Sequence, residues 1–229
     1  MANKEHVNCL KAGSRSWKAW RAHNRAVMPD LSGEDFQGLN FSGHKLSGCN
    51  LEKADFSQAR LQKADFSGSR LKGSNFTSAN LEDANLSHCD LQGADFFMAK
   101  MNRAKLQASN LQGVNFEDAS LEEVNFSDAN LEGVDFCGAK LRQCLLVRAN
   151  MKGADLRWCD LQEADLRGVN LRVACIQEAN LSGAQLEGAQ MDGAHLEGTV
   201  LAGSENTMPE EVGKEGGSTI ERLLAWFGR

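Results

Sequence analysis

Chemistry in this 229-residue chain would have to come from its seven Cys and five His, or from Ser and Asp placed beside them. Cys49, Cys89, Cys144 and Cys159 all fall at one position of a five-residue period, a position otherwise held mostly by Ala. They read as fillers of an Ala-sized inward slot, not as a metal or redox set. Cys49 and Cys89 would stand two turns of the chain apart, roughly 9–10 Å, beyond the reach of a disulfide. No Cys-x-x-Cys occurs, and Cys137 and Cys175 fall at outward positions, which suits a reducing compartment. His6, His23, His44, His88 and His195 are scattered, none at metal-ligand spacing with a second donor. Ser87, His88 and Asp128 share one outer face, but a flat wall offers neither a pocket nor an oxyanion hole. The Gly residues recur at period five and do not form a phosphate loop. The expectation is a protein with no catalytic residues, no metal and no cofactor, and not an enzyme.

Composition narrows the setting. Hydrophobic residues make up 41% and aromatics 7%, Tyr is absent, Gly numbers 22 and Pro 2. A core can be built from this, though with few bulky side chains, and a Pro-rich disordered chain is excluded. No apolar run approaches the ~20 residues of a membrane helix. The start, Met1-Ala-Asn-Lys-Glu-His, lacks the apolar stretch of a secretory leader. The chain reads as cytoplasmic, without membrane contact. A net charge of −6 argues against direct nucleic-acid binding.

The element that must position all of this is the repeat itself. From Leu31 to Leu201 every fifth residue is large and apolar: 22 Leu, 9 Phe, 3 Met and 1 Ile. From Cys49 to Thr199 the residue two before it is small, and over the whole run the residue between is Asp or Asn at 22 of 35 sites. Ala54-Asp55-Phe56-Ser57-Gln58 is one such unit. Five steps on an α-helix advance ~140°, so no fixed face would be apolar. A flat strand would send successive large residues to opposite sides. The chain must therefore turn once per unit. All 17 Gly residues of the run occupy the last position of a unit, where a corner needs a permissive backbone.

The number of sides follows from column matching. Phe36, Phe56, Phe76, Phe96, Phe116 and Phe136 recur at intervals of 20, whereas an interval of 15 would place Phe36 against Leu51. Four units make one square coil, and the 175 residues from 29 to 203 give about nine coils. At the spacing of paired strands this is a rod of ~40 Å.

The motif Ala-Asp/Asn-Leu/Phe-x-x, unbroken over three quarters of the chain, resembles that of the pentapeptide repeat proteins. The lead-in Trp17-Lys-Ala-Trp20-Arg21, followed by Pro29-Asp30-Leu31-Ser32-Gly33, is similar to the Trp-rich opening of many members. The resemblance implies an all-β solenoid, a right-handed quadrilateral β-helix of about nine coils, here with short helices at both ends. The expected organisation is an N-terminal helical cap at 1–28, the β-helix at 29–203, a polar linker at 204–217 and an amphipathic helix at 218–229. Val7, Leu10, Trp17 and Trp20 lie on or near one face of the first segment, whose net charge is +5. Leu39 and His44 break the small-residue rule in the first coil, where a docked cap changes the packing. Ser218 and Glu221 form a capping box, and Ile220, Leu223, Leu224 and Phe227 form one stripe. With Trp226 this stripe holds more apolar area than a cap requires, which favours a homodimer through the C-terminal end over a cap in cis.

The outer walls carry the functional expectation. Charges cancel on the walls centred on Leu31, Phe41 and Leu46, while the wall centred on Phe36 sums to −8, or −9 with Glu34. One column of that wall runs Asp35, Asp55, Asn75, Asp95, Asn115, Asp135, Asp155. Asp and Asn bond their own turn backbone, which explains an Asx there but not the preference for Asp. Phe97, Met98, Leu145, Val147 and Trp158 replace polar outward residues, and Leu145, Val147 and Trp158 are expected to form a contact patch. The reading is a non-catalytic scaffold presenting an acidic wall to a basic protein partner. The alternative implied by the resemblance is a DNA-mimicking modulator of a type II topoisomerase, gyrase, that gives quinolone tolerance. The looped insertions of the plasmid-borne quinolone-resistance members are absent.

Overall fold

The protein is described by a computed structural model over residues 2–203. The expected linker at 204–217 and the stripe of Ile220, Leu223, Leu224, Trp226 and Phe227 lie outside the described residues.

Two short helices open the chain, α1 at Lys4–Lys11 and α2 at Ser14–His23. Asn3 caps α1 by accepting the Glu5 N–H at 2.9 Å. Gly13, at φ 101°, breaks what the sequence pattern read as one helical segment. The break folds α2 back, so that Val7, Leu10 and Trp17 are buried together. Trp17 stacks on Trp20 at 5.6 Å and donates its indole N–H to the Lys45 carbonyl at 2.6 Å. Asn3 N–H donates to the Asp30 carbonyl, Asp30 N–H to His6 Nδ1, and Arg21 to the Ser47 carbonyl. These bonds pair the Asp30, Lys45 and Ser47 carbonyls and the Asp30 N–H, backbone groups that a bare solenoid end would leave unpaired.

The solenoid follows. Each unit contributes one bridging residue, and every bridge is parallel and joins residue i to i+20, from Asp30–Asn50 to Asn180–Val200. Four units per coil are therefore observed directly. Coil 1 spans 31–50, coil 2 spans 51–70, and so on to a partial coil 9 at 191–203. The four faces are named here by their central columns: A from Leu31, B from Phe36, C from Phe41 and D from Leu46. All 35 central side chains from Leu31 to Leu201 are at most 4% exposed. On face B the Phe rings stack in register, with Phe76 and Phe96 at 4.7 Å and Phe96 and Phe116 at 5.0 Å. The interior is filled.

The corners explain the period. In all 35 units the residue two after the central one has positive φ, between 51° and 77°, and 18 of these residues are not Gly. The N–H after the corner closes on the central carbonyl, as from Ala54 to Leu51 at 3.1 Å. This is a β-turn of the kind that demands positive φ at its third residue. In the first coil His44 is buried with its ring edge-on to Phe41 at 5.4 Å, while Leu39 stays 39% exposed beside the cap.

Candidate interaction surface

The acidic column of face B is assembled as a ladder. Asp35 bridges to Asp55, Asp55 to Asn75, Asn75 to Asp95, and the series continues through Asn115 and Asp135 to Asp155. Each carboxylate also accepts the N–H two residues on: Ser57 for Asp55 at 2.8 Å, Phe97 for Asp95 at 3.0 Å, Cys137 for Asp135 at 2.9 Å. Asn75 and Asn115 make the same bond, to Thr77 and Glu117. The turn therefore needs only a side-chain oxygen, and an Asn supplies it as well as an Asp. Asn115 does more, donating to Asp95 across the coils at 3.1 Å. At Asp35–Asp55 and Asp135–Asp155 two carboxylates meet with no such donor between them.

One end of the ladder is neutralised. Arg157 grips Asp155 with contacts of 2.6 to 3.0 Å, and its hydrogen bonds hold the Asp155 carboxyl below the usual carboxylate range against the opposing effect of burial. Glu34 is likewise met by Lys11 of the cap at 3.7 Å. On coils 2 to 6 Glu117 and Asp118 add to Asp55, Asp95 and Asp135, and Asp35, Glu178 and Glu197 extend the acidic face beyond them.

The apolar outward residues divide between faces. Met98 and Trp158 stand in one corner column between B and C, three coils apart, 52% and 59% exposed, and Phe97 lies half-buried on face B beside Met98. Arg157 lies 5.3 Å from the Trp158 ring, beneath its indole face. Leu145 and Val147 sit on face D. Face C separates them from Trp158, so the three do not form one patch. Trp17 and Trp20 belong to the cap.

Groups with chemical potential elsewhere are occupied. Asp128, in line with Ser87 and His88, accepts from Nε and one terminal nitrogen of Arg148, each at 2.8 Å. No cluster of three or more His, Cys, Asp or Glu among the described residues is placed to hold a metal. A shallow depression of about 390 Å³ beside the cap is lined by Ala2, Ser32, Gly33, Glu34, Glu52 and Lys53.

The sequence reading missed what the small inward polar residues do. Cys89, Cys144 and Cys159 point their thiols at the carbonyls of Phe66, Leu121 and Phe136, 23 residues back, at 3.0, 2.8 and 2.8 Å. Thr199 bonds Ile176 in the same way. Ser69 and Ser109 go further: each hydroxyl donates to a central carbonyl, Leu46 or Leu86, and accepts the N–H of Cys49 or Cys89. The hydroxyl thereby stands in for the direct turn bond. The signal was present, since Ser69 and Ser109 each follow a Cys by 20 residues.

Comparison with known proteins agrees with this geometry. A family model described as a pentapeptide repeat region matches residues 29–96 and 79–156, and one described as pentapeptide repeats in eight copies matches 179–205. The chain belongs to the pentapeptide repeat family. Its square solenoid is the right-handed quadrilateral β-helix of pentapeptide repeat proteins. Two trypsin-treated forms of QnrB1, a plasmid-mediated fluoroquinolone resistance protein, superpose with TM-scores of 0.59 and 0.58 at 26% identity. They cover 77% and 76% of this chain and 91% and 90% of QnrB1. HetL, a pentapeptide repeat protein involved in heterocyst differentiation regulation from the cyanobacterium Nostoc sp., aligns at 24% identity over 79% of this chain and 94% of its own, with a TM-score of 0.41. A comparison with curated proteins gave no match. No described helix is long and apolar enough to cross a membrane.

Proposed function

We propose that the protein is a non-catalytic interaction scaffold whose face B receives a basic protein partner in the cytoplasm. The observation that carries this is the Asp ladder, where carboxylates meet one coil apart at Asp35–Asp55 and Asp135–Asp155 although Asn satisfies the same turn bonds at 75 and 115. Stacking like charges ~5 Å apart costs stability, and a one-sided field accelerates encounter with an opposite charge. A filled interior supports display over catalysis. The same field repels phosphates, so DNA itself is not the ligand.

A second reading is favoured by one observation, the likeness to QnrB1 over most of both chains. In it the acidic face stands in for a duplex and modulates gyrase.

The test replaces Asp55, Asp95 and Asp135 together by Asn. Urea melts should be unchanged or slightly more stable. Proteins captured by the parent should be lost by the variant, and the loss should match that produced by raising salt. A supercoiling assay with purified gyrase separates the two readings: the parent alters gyrase activity and the variant does not, or neither does. Equal capture by parent and variant would reduce the ladder to a set of solvated turns.

A further inference from the structure

Face C carries a pattern that face B lacks. Its outward charges in coil 2 are Arg60 and Lys63, in coil 4 Lys100 and Arg103, and in coil 6 Lys140 and Arg142. In coil 3 they are Glu82 and Asp83, in coil 5 Glu122 and Glu123, and in coil 7 Asp160 and Glu163. Each of six consecutive coils thus holds two charges of one sign and none of the other, and the sign alternates at every step. Coils 1 and 8 present only Asn, Ser and Gly on this face, so the banding has two defined edges.

Avoidance of like charges between neighbouring coils accounts for alternation, but not for doubling. Two like charges within one coil undo part of what alternation between coils gains. A face built to neutralise itself mixes signs within a coil, as face D does with Arg167 on Asp165 at 2.6 Å. On face C, ion pairs among the described residues join only Arg103 to Asp83 at 2.9 Å and Arg142 to Asp160 at 3.5 Å. Eight of the twelve charges stand outside them.

An even number of alternating bands becomes its own complement when reversed. Two copies laid face C to face C with antiparallel axes set coil 2 against coil 7, coil 3 against coil 6 and coil 4 against coil 5. Rotation about a two-fold axis in the plane between the faces, at right angles to the rods, keeps each lateral position. Arg60 then meets Asp160, Lys63 meets Glu163, Glu82 meets Arg142 and Arg103 meets Glu123, and symmetry makes every meeting occur twice. We propose that face C is a homotypic docking surface through which two copies of this chain associate side by side and antiparallel, about a two-fold axis between coils 4 and 5. This does not depend on what face B binds. Six coils span only ~29 Å, and one narrow face falls short of the ~800 Å² per partner of a stable complex. The dimer is accordingly weak, fast-exchanging and sensitive to salt.

The test uses the full-length protein in sedimentation velocity at ~20 mM and ~300 mM salt, where charge screening differs strongly. Dimer should form at low salt and dissociate at high salt. Solution scattering should give a lateral dimer hardly longer than the monomer; a dimer nearly twice as long would place the contact at the chain ends and overturn the proposal. Arg103→Glu and Glu123→Arg should each weaken association roughly tenfold, because each reversal appears twice in the interface. An equimolar mixture of the two variants should recover it, since each reversed side chain then faces the other reversed one. A ladder acting only within one chain cannot be rescued by mixing. Lys63→Glu with Glu163→Lys repeats the cross at sites without an ion pair in cis, should the loss of the Arg103–Asp83 pair disturb folding. A monomer at low salt, or no recovery in either mixture, refutes the proposal.

Discussion

The buried thiols are where single side chains depart most from their ordinary chemistry. Burial pushes Cys49 and Cys89 up to about 12, and it raises Cys144 and Cys159 as well. An unfolded Cys loses its proton near pH ~8.5, so between there and about pH 12 the folded chain holds protons that the unfolded chain has released. Stability is full below the lower value and falls as pH rises through the window, by about 1.4 kcal/mol per pH unit for each such thiol. The chain has no Tyr, which removes one competing titration. Urea melts at pH 8 and pH 10 should show this loss, and Cys89→Ala should lessen it. A pH-independent stability over that interval would mean that the thiols are wetter than the fold implies. That these Cys point inward was legible from period five alone. That Cys89, Cys144 and Cys159 bond a carbonyl 23 residues back was not, because that contact exists only once coils stack at a fixed offset. The Asx slot was legible down to its turn bond, whereas the capture of Asp155 by Arg157 depends on a rotamer.

At the level of the turn, 18 corners place a side chain in the left-handed region. The least comfortable is Val173, β-branched at φ 51° and 55% exposed, so that packing returns little for the strain. Val173→Gly should raise stability by about 1 kcal/mol in denaturant melts, since the left-handed region costs a branched residue roughly 1–2 kcal/mol and Gly almost nothing. A destabilised variant would show that the valine makes contacts that outweigh its backbone. Trp158 occupies the same kind of corner with 59% exposure, which sets it apart from the single exposed apolar residues of any surface. The corners were readable because Gly marks 17 of them. The N-terminal helices were readable from the spacing of Val7, Leu10, Trp17 and Trp20, but the turn at Gly13 was not, since helical spacing carries across a short break. Leu145 and Trp158 stand in neighbouring coils, but residues in neighbouring coils share a surface only when they also share a face.

Over the whole rod the core behaves as stacked layers in which each coil touches only its neighbours. Phe96 stands mid-column between Phe76 and Phe116. Phe96→Ala should cost ~3–5 kcal/mol as an internal cavity, measured by chemical denaturation, and a loss under about 1 kcal/mol would show that the stack closes over the gap. The architecture was almost fully legible, because a Phe column at intervals of 20 admits only four sides. The charge banding of face C is not apparent along the linear sequence, because its charges lie 20 residues apart and the other three faces intervene. The strict succession of four faces has a consequence for how such a chain can vary. Removing one unit of five residues would leave every large side chain pointing inward and every corner intact. Everything downstream would nevertheless be rotated by a quarter turn, so the later carboxylates of the ladder would slide from face B onto face A. Length and display are thus geared together: losses or gains of twenty residues leave the pattern of each face in line, while steps of five scramble it without unfolding anything.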